Sequence, residues 1–128
     1  MLKSIISSWV RQARHRAKKH DIYNDLDIDD VEQIITEHTT CAYCAAEPTT
    51  LDHPFPLKDI APNVPANVLP ICRKCKSVKK YNDMVWMFHT GRISNELYLK
   101  LIETLVNRRG GNRIKEHIKL VTGIDNGT

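Results

Sequence analysis

The sequence lacks the features that mark several classes of protein. It has no run of about 18 consecutive apolar residues, so the chain is not expected to span a membrane. Its N-terminal segment lacks the long apolar core and small-residue cleavage site of a secretory signal, which predicts a cytoplasmic protein. Glycine and proline are not abundant, and no internal repeat or low-complexity tract occurs, which excludes a fibrous or disordered chain.

Aromatic residues and cysteines are also scarce. Aromatic residues make up 6% of the sequence and form no row that would stack on the bases of a single strand. There are four cysteines in all, and in a reducing compartment such a set favours a metal site over disulfides. The length of 128 residues predicts one domain, residues 1–128, with one modest core.

The net charge of +4 hides a strong segregation of charge along the chain. Residues 1–20 carry six basic and no acidic side chains, whereas residues 21–37 carry seven acidic and no Lys or Arg side chains. A second basic block, residues 72–80, carries five Lys or Arg and no acid. Such blocks are either solvated helix faces or a surface for a polyanion such as nucleic acid.

Hydrophobic periodicity predicts helices at both ends of the chain. Apolar residues three or four apart predict a helix over Leu2–His20 and, after an N-cap at Asp27, another over Ile28–His38. Ser94 and the apolar positions that follow it predict a third. A last helix is expected to be capped by Asn112, with Ile114, Ile118 and Val121 facing inward, and the tail from Gly123 is expected to fray.

The middle of the chain lacks the long helical periodicity of the two ends before Cys72. Six prolines between residues 48 and 70 exclude a long helix there, and short strands are expected around Thr50–His53 and Phe55–Leu57. The segment from Cys72 to Phe88 contains no proline or glycine and predicts a helix that starts near Arg73 and ends before Gly91. Residues 1–38 are thus a helical lead-in, 39–90 a core of mixed structure, and 91–123 C-terminal helices, which is an α+β organisation.

The four cysteines form two Cys-x2-Cys pairs, Cys41/Cys44 and Cys72/Cys75. This spacing lets both thiolates of a pair reach one ion from a tight turn, and two pairs complete a tetrahedron around Zn²⁺. Four sulfur ligands leave no open coordination position, so the zinc is expected to be structural. The alternative is a set of four unrelated free thiols.

Between the two pairs lies Asp52-His53-Pro54-Phe55-Pro56, followed by Asn67 and by the Cys72–Lys79 run that reads CRKCKSVK. The sequence over residues 40–88 resembles the zinc-knuckle HNH endonucleases, common in phages and mobile elements. The family pattern is CxxC, DHxxP, an Asn, and CxxCNxxK. The resemblance implies a ββα-metal core (the His-Me finger) in which two strands and a helix present the catalytic groups.

Several roles follow from that resemblance. His53 would be the general base that deprotonates the attacking water, and neutral imidazole suits this role near neutral pH. Asp52 would ligate one catalytic Mg²⁺ or Mn²⁺. The amide of Asn67 would bond the backbone and hold the His53 loop. The substrate would be double-stranded DNA, cut to leave 5′-phosphate and 3′-hydroxyl ends.

The sequence departs from the family at Lys76, which stands where an Asn or His would ligate the catalytic metal. A protonated lysine cannot ligate a cation. Asp52 therefore needs another ligand, for which Asp83 on the same predicted helix is a distant candidate, or the Lys76 ammonium pairs directly with the phosphate. In a third interpretation cleavage is weak or lost, leaving a zinc-stabilised module that binds nucleic acid.

Basic residues near the predicted site are candidates for binding DNA phosphates. They are Arg73, Lys74, Lys79 and Lys80 on the central helix and Arg11 and Arg14 on the first helix. The acidic segment of residues 21–37 is expected to face away from DNA or to contact the first helix. One site per chain nicks one strand, so double-strand cleavage requires a homodimer or two successive events. A zinc-knuckle protein that binds other proteins is the remaining alternative, which the basic blocks disfavour.

Overall fold

The computed structural model describes residues 1–123, and of the tail expected to fray from Gly123, residues 124–128 lie outside them. In this part of the chain a two-stranded sheet lies among α-helices, with short 3-10 turns at Leu57–Asp59 and Pro65–Asn67. No helix in residues 1–123 combines the length and hydrophobicity needed to cross a membrane. The elements in chain order are α1 (Lys3–Lys19), α2 (Ile28–Glu37), β1 (Thr50–Asp52), β2 (Leu69–Ile71), α3 (Arg73–Lys79), α4 (Met84–His89), α5 (Asn95–Val106) and α6 (Gly111–Thr122).

The sheet is antiparallel and pairs Thr50 with Ile71 and Asp52 with Leu69. The prediction of a strand over Phe55–Leu57 is wrong, because this segment carries Pro56 and leads into a 3-10 turn. The partner of β1 is instead β2, which contains Pro70. A proline has no N–H to donate to a ladder, but in a two-stranded sheet every strand is an edge strand and tolerates one.

Local signals in the sequence correctly predicted most of the helices. The helix expected over Leu2–His20 is α1, and α2 starts after Asp27, whose side chain accepts a hydrogen bond from the N–H of Asp30 while Asp30 bonds back. Ser94 caps α5 by accepting from the N–H of Leu97. These helix starts were predictable because capping is a contact between near neighbours in the chain.

Two helix predictions need correction. The helix expected from Arg73 to Phe88 is broken into α3 and α4 at Lys80, which has a positive φ of 50°. Asp83 is therefore not on the same helix as Lys76; its side chain caps α4 by accepting from the N–H of Trp86 at 2.8 Å.

The last helix also differs. It begins at Gly111 after an N-cap at Gly110, so Asn112 is not the cap. Gly110 has φ 86°, and a Cβ there would lie 2.6 Å from Val64. The side chain of Val121 is 41% exposed rather than inward, whereas Ile114 and Ile118 are buried as expected.

The sheet separates two groups of buried apolar side chains. Leu51 of β1 belongs to a group formed with α1 and α2, whereas Leu69 and Ile71 of β2 belong to a larger group formed with helices α3 to α6. Successive side chains of a strand point to opposite faces, so β1 directs Leu51 towards α1 and Asp52 towards α3. The fold therefore places the end of β1 between α1 and α3.

Candidate functional site

The two cysteine pairs meet at one point. Their four sulfur atoms all lie within 4.8 Å of one another, and the Sγ atoms of Cys44 and Cys72 are 3.5 Å apart. Cys41 and Cys44 lie in a turn that docks on the sheet, where the N–H of Ala42 donates to the carbonyl of Pro70. This arrangement could hold a structural zinc ion, because four thiolates around Zn²⁺ require this kind of close tetrahedral grouping.

The second cysteine pair is positioned by the start of α3. Cys72 is the N-cap of this helix, and its sulfur accepts a hydrogen bond from the N–H of Cys75 at 3.4 Å. This backbone hydrogen bond lowers the pKa of the Cys72 thiol to about 7. A lowered thiol pKa favours the thiolate, which is the form that ligates a metal. The cluster thus ties the turn before β1 to the beginning of α3.

Asp52 and His53, at the end of β1, both line a cleft of about 300 Å³ between α1 and α3. The other polar side chains around the cleft are mostly basic. The cleft therefore brings an imidazole and a carboxylate together with a set of cations, which is an arrangement suited to an anionic ligand. The basic residues are Arg16, His20, Lys58, Lys76, Lys79 and Lys80.

The imidazole of His53 is held on two sides. Its Nε2 lies 2.8 Å from Oδ1 of Asn63, whose amide group donates to Oδ1 of Asn24, also at 2.8 Å. The indole of Trp9 on α1 packs against the ring, with centroids 4.6 Å apart. Since the Asn63 oxygen accepts, Nε2 carries the proton and Nδ1 is the nitrogen with the free lone pair.

The other nitrogen of His53, Nδ1, belongs to a residue that lines the cleft and is left without a partner in the described part of the chain. Within residues 1–123 no hydrogen bond reaches Nδ1. This nitrogen is not fully buried, since the one fully buried side-chain N or O atom without a partner in that part of the chain is Nη2 of Arg108. Burial lowers the pKa of His53 to about 3, opposed by the bond to Asn63. The ring is therefore neutral at physiological pH.

The carboxylate of Asp52 is already occupied by partners within the protein. Oδ2 accepts a hydrogen bond from the Tyr43 hydroxyl at 3.1 Å, and Oδ1 lies 3.2 Å from the ammonium nitrogen of Lys79. The Lys79 ammonium also donates to the carbonyl of His53 at 3.1 Å. Burial raises the pKa of Asp52, and the charge of Lys79 opposes that shift.

The prediction that Lys79 contacts DNA is wrong. Its side chain is 1% exposed, because the ammonium is drawn inward to neutralise Asp52 and to bond the backbone next to it. A buried lysine needs such partners to offset its desolvation. Lys79 is therefore part of the interior between β1 and α3, not of the surface.

The residues around Asp52 do not fit the catalytic Mg²⁺ or Mn²⁺ that the resemblance implies. Both carboxylate oxygens are bonded within the protein, and the adjacent cation is Lys79. In residues 1–123 the four cysteines are the one group of three or more His, Cys, Asp or Glu side chains close enough to share an ion. Hard divalent ions require several oxygen ligands, and among residues 1–123 no second carboxylate lines the cleft with Asp52.

Asn67 makes backbone contacts of the kind expected of it. Its Oδ1 accepts from the N–H of Phe55 at 3.0 Å, and its Nδ2 donates to the carbonyls of Phe55 and Pro62 at 2.8 and 2.9 Å. The side chain is fully buried. Asn67 thus fixes the loop that follows His53 without reaching the cleft.

Lys76 lines the cleft, and part of its side chain is exposed. Its ammonium donates to the carbonyl of Leu51 at 2.9 Å, which leaves two further N–H groups for a ligand. Partial burial lowers the pKa of Lys76, and Asp52 opposes this effect. Lys76 therefore places a positive charge beside His53 and Asp52.

The other predicted DNA-binding residues are distributed unevenly. Arg11 lines a second cleft of about 600 Å³ together with Trp9, Arg16 and Lys76, so the two clefts adjoin. Arg73 lines a third cleft with Lys76. Lys80 lines the first cleft, whereas Arg14 and Lys74 are exposed outside the lining of these clefts.

In residues 1–123 no ion pair joins the acidic segment, residues 21–37, to α1. The segment's Asp25 and Asp30 bind the guanidinium of Arg109, with the nearest carboxylate oxygen of Asp25 at 3.0 Å. This holds the segment between α1 and α2 against the loop before α6 and neutralises Arg109.

Sequence reasoning missed Asn63, Tyr43 and the roles of Trp9 and Arg16. Nothing near Asn63 or Tyr43 in the sequence signals a contact with His53 or Asp52. For Trp9 and Arg16 a signal existed, since they lie seven residues apart on one basic amphipathic helix and therefore on the same face. Comparison of the chain with protein-family models, curated proteins and solved structures finds no match.

Proposed function

We propose that this protein is an HNH-type endonuclease that hydrolyses a phosphodiester bond of DNA in the cleft between α1 and α3. The observation that carries the proposal is the state of His53: its Nε2 is bonded to Asn63, its Nδ1 has no hydrogen-bond partner in residues 1–123, and the residue lines a cleft with Arg16, Lys76 and Lys80. Together these groups offer a proton acceptor next to cations that bind a phosphate. Such a pairing suits general-base hydrolysis of an anionic ester.

The order of the elements supports the same proposal. Two antiparallel strands precede α3, the DH pair ends the first strand, and the cysteine cluster joins the strand region to the start of α3. This is the order in which the HNH pattern places its strands and helix. A structural zinc ion would lock α3 against β1 and so fix Lys76 beside His53.

In the proposed reaction, Nδ1 of His53 removes a proton from water as its oxygen attacks phosphorus. The bond between phosphorus and the 3′-oxygen breaks, and that oxygen leaves with the electron pair and takes a proton from solvent. Lys76 and Arg16 stabilise the negative charge that grows on the phosphate. Burial lowers the pKa of His53 in the free protein. The negative charge of the phosphate in the transition state raises this pKa, because it stabilises the protonated ring.

A second candidate function is a zinc-stabilised module that binds nucleic acid without cleaving it. The observation that favours it is the ion pair between Asp52 and Lys79, which occupies the carboxylate that the HNH pattern gives to a metal. Lys76 in the third motif position points the same way. The cleft would then bind a phosphate and leave the ester intact.

One experiment separates the two candidates. Zinc-loaded wild-type protein and the variants His53→Ala and His53→Gln are incubated with supercoiled plasmid, and nicked product and its ends are measured. The nuclease proposal predicts nicking by the wild type, 5′-phosphate ends, and loss of about 10²-fold or more in both variants. Retarded but uncut plasmid supports the binding module, and equal nicking by all three proteins rejects His53 as the base.

A further inference from the structure

The Asp52 carboxylate occupies the position at which the HNH pattern places a ligand of a divalent ion, but its oxygens are already bonded within the protein. Its side chain is 9% exposed, and both oxygens are bonded, one to the Tyr43 hydroxyl and one to the Lys79 ammonium. A cation bound to Asp52 would need to displace one of these partners. It would also lie close to the ammonium of Lys79, with like charges repelling each other in a poorly hydrated interior.

The Lys79 ammonium cannot simply move aside into water. The side chain is 1% exposed, and its other hydrogen bond goes to the carbonyl of His53. Moving Lys79 would break that bond and leave the backbone carbonyl next to the proposed base without its partner. The ammonium is thus a built-in cation at the place where the HNH pattern puts a metal.

The phosphate-binding charges are supplied by other groups of the same cleft. Lys76 bonds the carbonyl of Leu51 with one of its three N–H groups. Arg16 lines the same cleft as His53 and Lys76, and no ion pair engages it within residues 1–123. Two cations beside His53 are therefore available for the oxygens of one phosphate.

We infer that this cleft binds its phosphodiester without a divalent cation: Lys79 neutralises Asp52 permanently, and Lys76 and Arg16 contact the phosphate oxygens. This inference rests on the proposed function for its substrate, a DNA phosphodiester. It assigns the binding of the phosphate to ammonium and guanidinium groups and removes Asp52 from the set of metal ligands.

The first test uses Mn²⁺ alone as the probe. Zinc-loaded wild type and Asp52→Asn are first freed of all divalent ions except the bound zinc. Both proteins are then titrated with Mn²⁺, and free Mn²⁺ is followed by electron paramagnetic resonance. The inference predicts no difference between the two proteins at millimolar Mn²⁺. One bound Mn²⁺ in the wild type that is lost in Asp52→Asn overturns it. This readout does not depend on whether the protein cleaves DNA.

The second test uses a DNA duplex in buffer free of divalent ions, with zinc content checked before and after. The inference predicts that the affinity changes less than twofold when Mg²⁺ is added at constant ionic strength. A tenfold rise in affinity with Mg²⁺ overturns it. Absence of any DNA binding in either buffer instead rejects the proposed function, so the two failures can be told apart.

Matched variants on the same helices locate the phosphate. Arg16→Ala is compared with Arg14→Ala on α1, and Lys76→Ala with Lys74→Ala on α3. The inference predicts that Arg16→Ala and Lys76→Ala each reduce the slope of log affinity against log salt by about one, and their controls by less. Equal slopes within each pair place the phosphate outside the cleft and overturn the assignment.

Discussion

The ammonium nitrogen of Lys79 lies 3.2 Å from Oδ1 of Asp52, and the two side chains form a buried ion pair between β1 and α3. This pair links the last residue of the first strand to the last residue of the helix that follows the second strand. It therefore joins β1 to α3 and holds an ammonium group against the backbone carbonyl of His53.

Removing one partner of this pair should be strongly destabilising. Lys79→Met leaves the Asp52 carboxylate buried without its cation, and we expect a loss of about 3–5 kcal/mol in the free energy of unfolding. Lys80→Met, a neighbour on the surface, should change it by less than about 0.5 kcal/mol. Urea denaturation measures both.

The double variant Lys79→Met/Asp52→Asn checks the cause of that loss. If an unpaired charge is responsible, the second substitution should restore part of the stability, since it removes the charge. Additive losses in the double variant would mean that the two groups do not interact.

The cysteine cluster should bind one zinc ion on which folding depends. Cys72→Ser removes a ligand, and we expect zinc content to fall from one per chain to near zero with loss of helical circular dichroism, because structural zinc supplies about 10–16 kcal/mol in small zinc domains. Elemental analysis and circular dichroism test this, with Ser77→Ala as a control outside the cluster. A fully folded, zinc-free wild type would refute the assignment.

Asn67 should stabilise the loop after His53. Asn67→Ala leaves the buried N–H and carbonyl of Phe55 without hydrogen-bond partners. Each unpaired group lowers the free energy of unfolding by about 1–3 kcal/mol. The urea midpoint should fall accordingly, whereas the exposed Asn112→Ala should leave it nearly unchanged. Equal midpoints for the two variants would show that the three hydrogen bonds of Asn67 carry no net stability.

His53 should make the protein less stable in acid. Burial lowers its pKa to about 3, whereas an unfolded histidine titrates near 6.5, so the unfolded state binds the extra proton first as the pH falls. Stability should therefore decline from about pH 6.5 towards pH 3, by about 2 kcal/mol between pH 7 and pH 5.

The matched measurement uses His53→Gln at saturating zinc over the same pH range. This variant lacks the titrating ring, so its stability should decline less steeply by about that amount, and the difference between the two proteins cancels effects of the thiolates. Parallel declines would show that His53 is not buried in its neutral form.

The contrast between what the sequence predicted and what it could not is physical. The starts of α2 and α5 depend on Asp27 and Ser94, which cap them through contacts with residues three positions away, and such local contacts leave a pattern. The cysteine cluster was predictable because zinc chemistry imposes its own spacing on the chain.

The missed features depend on distant contacts. Lys79 reads as one more surface lysine until Asp52, 27 positions away, is placed beside it by the sheet. Lys80 adopts a positive φ that its residue type does not favour, so the break between α3 and α4 had no sequence signal. The pairing of β1 with a strand containing Pro70 likewise depends on the sheet having only two strands.

The central claim is that Nδ1 of His53 deprotonates the water that attacks a phosphodiester bound in the cleft. Its most direct test is the single-turnover rate of cleavage and the dissociation constant on one duplex, for zinc-loaded wild type and His53→Gln. The account predicts a rate at least about 10²-fold lower in the variant with a dissociation constant unchanged within about twofold. Equal cleavage rates for the two proteins would contradict it.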